Sequence, residues 1–285
     1  MKLLIEVSDK SNLFLDKTDG IILPIDKYSV ESICTFSLDE IKDIVNKTKK
    51  EVFIKINKNI MNDDINDLKK ILIELDNLNI KGIFFYDLAL LQLKKELNLK
   101  MDLVWNQTHM VNNYKTCNYY YSKGVKYALL GKEITLDEII EIIKKSDIIS
   151  MVEVVSHPSV AFSKRKLLTN YYINLNKEVK KDLIVTEKMT DTNYHLIEDD
   201  NGTTFYLDII TNGTSIIKSL YEAGCKYIIF REYGIDDFEE LIDDTEKYIN
   251  GKCIDDSYVE KYKKLGDSTN FFFKKTIYKV KKWER

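Results

Sequence analysis

The chain has 285 residues, 44% of them hydrophobic, which is enough to bury a sizeable core and excludes a disordered polymer. Its 43 basic and 46 acidic residues nearly cancel, so no chain-wide field for nucleic acid or an anionic membrane exists, and any RNA contact must come from a local patch. Four cysteines, Cys34, Cys117, Cys225 and Cys253, form no CxxC pair and have no histidine neighbour, which argues against a zinc ribbon or a disulfide framework and for reduced, buried thiols.

Met1 to Val7 is apolar but is soon interrupted by Ser8, Asp9 and Lys10, too short for a signal peptide or a membrane span, so a cytoplasmic location is expected. Along the chain, short β-branched runs alternate with amphipathic segments at helical spacing, the pattern of a parallel sheet with crossover helices. Strands are predicted at Lys2–Val7, Gly20–Pro24, Glu51–Asn57, Gly82–Tyr86, Met101–Asn106, Tyr127–Gly131, Met151–Val155 and Tyr227–Arg231. Helices are predicted at Ser37–Lys49, Asp63–Leu78, Ala89–Leu97, Asn113–Lys123, Thr135–Lys145, Thr214–Ala223 and Asp236–Ile249. Ser37-Leu-Asp-Glu40 and Thr135-Leu-Asp-Glu138 read as capping boxes, which makes their glutamates structural. Two strand-like runs, Tyr194–Glu198 and Thr203–Asp208, flank a polar turn and read as an inserted β-hairpin.

Periodicity alone admits a closed barrel or an open doubly wound sheet. The reading taken is a (β/α)-barrel of TIM type over residues 1–250, followed by an irregular extension over 251–285 in which Asn270–Val280 adds a strand or packs aromatics across a barrel end.

Three stretches carry a family resemblance: Trp105–Tyr121 (WNQTHMVNNYKTCNYYY), Val125–Ile139 (VKYALLGKEITLDEI) and Ser163–Tyr172 (SKRKLLTNYY). In this order and spacing they resemble the U32 family of collagenase-like peptidases, and within it the shorter of two paired paralogues linked to tRNA uridine hydroxylation. The resemblance implies a peptidase name, RNA uridine hydroxylation among relatives, and an iron-sulfur cluster on cysteines in the enzymatic members. This chain departs from that pattern. The family's His-Gly and following cysteine fall on Val155, Ser156 and Ser159, with His157 two positions out of register, and its second cysteine falls on Lys166. Since a cluster needs thiolate ligands, no cofactor and no metal are expected. A family Lys-x-Glu/Asp-Gly run falls on Ile229 to Glu232; Lys132-Glu133 and Asn113 match family positions, and Thr108 stands where glutamine is common.

Strand C-termini face the ligand crevice in this fold. The candidate ligand-binding residues are therefore Asn57, Asp87, Gln107, Thr108, Asn113, Lys132, Glu133, Glu153, His157 and Arg165, with Asn59 and Asn106 beside them. Asp87 can equally cap the helix after it, and Lys132-Glu133 can be a surface ion pair. No GxxxxGK[ST], GxGxxG, HExxH or GxSxG motif is present. Ser163-Lys-Arg-Lys166 with Tyr171 and Tyr172 is the local nucleic-acid candidate, since cations bind phosphates and aromatics stack on bases.

Three functions are consistent with these residues. The first is an accessory subunit of a tRNA uridine hydroxylation system that binds tRNA or a longer U32 paralogue, with no membrane and no DNA partner. The second is a hydrolase using Asp87, Glu133 or Glu153, and the third a small-molecule binding barrel with amides at Asn57, Gln107 and Asn113.

Overall fold

The apolar runs are buried at almost every position: Gly20–Pro24 is buried throughout, and Glu51–Ile56 at all but its first residue. Strands shielded on both faces need cover on both, and a barrel wrapped by helices supplies it. A computed structural model describes residues 1–274 apart from 15, 108, 255, 267 and 270. Strands β1 (Lys2–Glu6), β2 (Gly20–Pro24), β3 (Glu51–Ile56), β4 (Gly82–Phe85), β5 (Asp102–Trp105), β6 (Tyr127–Leu129) and β7 (Ile149–Ser156) succeed one another in parallel. Helices α1 (Leu38–Lys47), α2 (Ile65–Asp76), α3 (Ala89–Glu96), α4 (Tyr114–Ser122) and α5 (Leu136–Lys145) follow β2 to β6 in turn.

After β7 comes an insertion of β8 (Ser159–Ser163), α6 (Leu167–Asn174), β9 (Asp182–Glu187), β10 (Thr192–Glu198) and β11 (Thr203–Leu207). Then follow β12 (Thr211–Asn212), α7 (Ile217–Glu222), β13 (Tyr227–Arg231), α8 (Phe238–Asn250) and α9 (Ser257–Lys261). β13 pairs in parallel with both β7 and β1, and β6 with β7, so the sheet of eight parallel strands closes into a (β/α)8 barrel, with β12 antiparallel on β7.

Side chains alternate along each strand. Leu4, Ile22, Phe53, Phe84, Tyr127 and Ile229 point inward and form their own cluster, while Leu3, Ile21, Ile54 and Ile228 point outward into the helix layer. Phe53 meets Phe84, Tyr127 and Tyr227 edge to face at 5.7, 5.9 and 6.0 Å, the arrangement ring quadrupoles favour. Both capping boxes close: Ser37 N donates to Glu40 Oε2 at 2.7 Å, and Thr135 N to Glu138 Oε2 at 2.7 Å. Gly20 is required by close approach, because a Cβ there would stand 2.4 Å from the Glu51 carbonyl oxygen.

The insertion is larger than the expected hairpin. The hairpin of β10 and β11 is present, but β8 and β9 flank it in a four-stranded antiparallel sheet of order β8-β11-β10-β9. The Leu183–Val185 run that forms the centre of β9 is short and follows two lysines, so it gives little periodic signal. The sheet is fastened to the barrel by hydrogen bonds: Asn201 Nδ2 donates to Ser29 O at 2.9 Å, and Tyr233 meets His195 Nδ1, while within the sheet His195 Nε2 lies 2.5 Å from Asp182. Beyond α8, Tyr258 stacks on Tyr248 at 4.3 Å, Asn212 N donates to Ser268 O at 2.7 Å and Leu136 N to Phe272 O at 3.0 Å. Of the segment 270–280, residues 270 and 275–280 lie outside those described; Phe272 is buried.

Phe53 touches rings from three other strands, so Phe53→Ala is expected to cost roughly 3–5 kcal/mol in urea unfolding. A loss under 1 kcal/mol would contradict the packed interior.

Candidate functional site

The barrel interior changes chemistry from bottom to top. The inward positions that carry Leu4, Phe53, Met151 and Ile229 are followed two residues later by Glu6, Lys55, Glu153 and Arg231, so charged side chains form the next layer up. All four belong to strands whose other residues are almost wholly apolar and buried. Lys55 Nζ donates to both Glu6 oxygens at 3.0 and 3.2 Å, to Ser32 Oγ at 2.8 Å and to Glu31 O at 3.1 Å. Arg231 lies between the two acids, 3.5 Å from Glu6 and 2.8 Å from Glu153. Lys132, from the loop after β6, reaches Glu153 at 2.7 Å, and Ser156 Oγ donates to the same carboxylate at 2.5 Å.

Burial pushes the Glu153 carboxyl up, but the positive charges of Arg231 and Lys132 outweigh it and hold the group at about 2. Glu6 is likewise raised by burial and lowered further by Arg231 and Lys55, ending below the ordinary carboxylate value. Lys55 is pushed down to about 8 by burial and by Arg231, with Glu6 opposing. The layer is therefore ionised at neutral pH, and a carboxyl held at about 2 is no reservoir of protons for general acid catalysis there.

Above this layer lies a cavity of about 420 Å³ at the C-terminal mouth of the barrel. Asn57, Tyr86, Asn106, Lys132 and Arg231 line it from the barrel, and Val160 to Phe162 with Lys164 close one side from β8 and the loop after it. A smaller chamber of about 200 Å³ adjoins it, sharing Glu31, His109, Lys132 and Val160 and adding Leu207, Ile209 and Phe271.

Of the residues singled out from sequence, Asn57, Lys132 and Glu153 come together at this mouth. Asn57 serves the fold there, accepting from Val30 N at 2.9 Å and donating to Val30 O at 3.0 Å. Glu133 lines the smaller chamber, its carboxylate 3.8 Å from His109 Nδ1. The others take structural or peripheral places. Asp87 accepts from Ala89 N and Ile60 N, both at 2.9 Å, and starts α3. Gln107 accepts from Trp105 Nε1 at 3.0 Å and donates to Tyr86 O at 2.6 Å; Asn113 caps α4 by accepting from Thr116 N at 2.9 Å. His157 stacks on Tyr233 at 5.0 Å, and burial lowers its pKa. Arg165 is exposed on the loop before α6, and Thr108 lies outside the described residues. Glu6, Lys55 and Arg231 were not singled out, although a charge inside an otherwise apolar strand is a legible signal.

The four cysteines do not suit a cluster on several thiolates from this chain. Cys34 Sγ meets Val7 O just past the top of β1, whereas Cys225 precedes β13 at the opposite end of the barrel, about 15 Å away by strand rise. Cys117 sits on α4 and Cys253 after α8, helices that follow different strands. Burial raises Cys34 and Cys117 to about 12 and Cys225 to about 11, keeping them as thiols.

Glu153→Gln leaves Arg231 and Lys132 without their shared counter-charge and is expected to cost roughly 3–5 kcal/mol at pH 7. Because the folded carboxyl sits near 2 rather than 4.5, its stabilisation is complete above pH 4.5 and is lost as pH falls through 2. Urea titrations should therefore converge for the two proteins in acid, and equal stability at pH 7 would refute the network.

Comparison with known proteins agrees with the motifs. A tRNA hydroxylation protein P2 from Bacillus subtilis is 25% identical over 287 aligned positions, 88% of this chain and 90% of that one. Among solved structures, 3-hexulose-6-phosphate synthase from Salmonella typhimurium aligns with a TM-score of 0.47 at 12% identity, covering 89% of this chain and 99% of that one. Thiamine phosphate pyrophosphorylase from Pyrococcus furiosus aligns at 0.45 and 10%, covering 88% and 96%. The family model described as peptidase family U32 matches residues 16–229, and the chain belongs to that family.

Proposed function

We propose that this chain is an accessory, RNA- and partner-binding subunit of a tRNA uridine hydroxylation system, working beside a longer U32 paralogue. One observation carries the reading. Between Lys164 and Lys181 the chain has six cations, Lys164, Arg165, Lys166, Lys177, Lys180 and Lys181, and one acid, Glu178, all exposed, although the whole chain carries a net charge of −3. Among the described residues, only Lys166 of this stretch is paired with a carboxylate, at 3.0 Å from Asp200. Tyr171, 54% exposed on α6, offers a ring face beside these charges. Cations with an aromatic between them suit a phosphate backbone with stacked bases, and the patch starts at the cavity rim, where Lys164 lines the mouth.

The similarity to a tRNA hydroxylation protein gives this RNA its class. The dispersed, protonated thiols give the accessory role its reason, because cluster chemistry then falls to a cysteine-bearing partner. No helix among the described residues is long and apolar enough to cross a membrane, and cytoplasmic tRNA is the expected ligand.

Replacing Arg165, Lys177 and Lys180 together by glutamine should weaken tRNA binding at least tenfold at low salt. The slope of log affinity against log salt should fall by up to about 0.7–0.9 per lost contact. Fluorescence polarisation across a salt series measures both, and an unchanged affinity and slope would remove RNA from this surface. Tagged protein captured from its own cells is expected to bring down a longer U32 paralogue; recovery of tRNA without one would overturn the accessory role.

A further inference from the structure

We propose that the mouth cavity is a binding site for a phosphate monoester of a small molecule, held between Lys58 and Lys164. Beneath and beside the cavity, Lys55, Lys132 and Arg231 stand against Glu6 and Glu153, with which they pair, and against Glu31, whose negative charge acts on Lys55 and Arg231. Lys58 and Lys164 line the same cavity, one from the loop after β3 and the other from the loop after β8 in the insertion. Neither has a carboxylate partner among the described residues; Lys58 Nζ donates to Lys27 O at 3.0 Å and stands 5.9 Å from the centre of the Tyr28 ring. The cavity thus presents two uncompensated ammonium charges, matching a phosphate monoester, which carries close to two negative charges at neutral pH.

A carboxylate is the poorer match. Planar carboxylates are best met by a guanidinium fork, and the one in this cavity, on Arg231, is already occupied by Glu6 and Glu153. Ammonium groups act as point charges suited to phosphate oxygens. A second observation marks the place of the organic part. Asn106 is 5% exposed and lines the cavity, yet its side-chain amide has no hydrogen-bond partner among the described residues. A ligand hydroxyl or carbonyl beside Asn106 would give that amide a partner. The volume of about 420 Å³ lies within the range of small-molecule sites.

Ribose 5-phosphate is the probe. Calorimetry at 0.15 M salt should show saturable one-to-one binding, at least tenfold tighter than succinate, a dianion without phosphate. The Lys58→Gln, Lys164→Gln double variant should lose at least tenfold, and Asn106→Leu should weaken ribose 5-phosphate while leaving inorganic phosphate within twofold. Both lysines are at the cavity surface, so an unchanged melting temperature without ligand will show that the double variant folds. Absence of saturable binding, binding that survives the double substitution, or succinate binding as tightly would each overturn the site. An oligoribonucleotide without terminal phosphates that competes for it would make the phosphate a backbone one and overturn the small-molecule assignment. Because Arg165, Lys177 and Lys180 lie outside this cavity, their failure to affect RNA would leave this result standing.

Discussion

Glu6 and Glu153 are buried carboxylates that remain ionised because Arg231 stands between them, and the upper half of the barrel depends on that placement. Isolated charges in such a position would lose far more solvation than they recover. With Arg231, Lys55 and Lys132 arranged around them, each acid has at least two cationic neighbours, and the desolvation of one is offset by the field of the others. Four strands and one loop are tied together by this layer, at the level where the apolar interior ends and the mouth begins. Polar atoms facing the cavity are therefore supported from beneath by an ion-paired floor.

Much of the barrel was legible in the sequence because its strands are short apolar runs and its helices announce their starts. Gly20–Pro24 and Tyr227–Arg231 coincide with the predicted strands, and both predicted capping boxes close with their glutamates facing the backbone. Closure was not legible, since it rests on β13 pairing with β1, a contact between chain ends that no local pattern encodes. The inserted sheet was read only at its hairpin. Its outer strands are half exposed, so the alternation that identifies a buried strand is weak.

The site was legible in part. Lys132 and Glu153 were singled out as strand-end residues and do meet, at 2.7 Å. Asp87, Gln107 and Asn113 occupy equivalent positions but spend their polar atoms on backbone groups, a choice that depends on loop geometry rather than residue type. Lys58 and Lys164 come from places 106 positions apart in sequence and share a cavity only because the inserted sheet folds back over the mouth.

That return of β13 to β1 has a consequence for synthesis on the ribosome. Lys2 is in register with Tyr227 and Glu6 with Arg231, so the first strand waits for more than three quarters of the chain before its second neighbour exists. Contacts of such separation form late and slow folding. Until Arg231 leaves the exit tunnel, Glu6 and Glu153 have no common counter-charge. The charged layer at the mouth is thus completed only after more than three quarters of the chain has been made, which ties the proposed binding site to late synthesis.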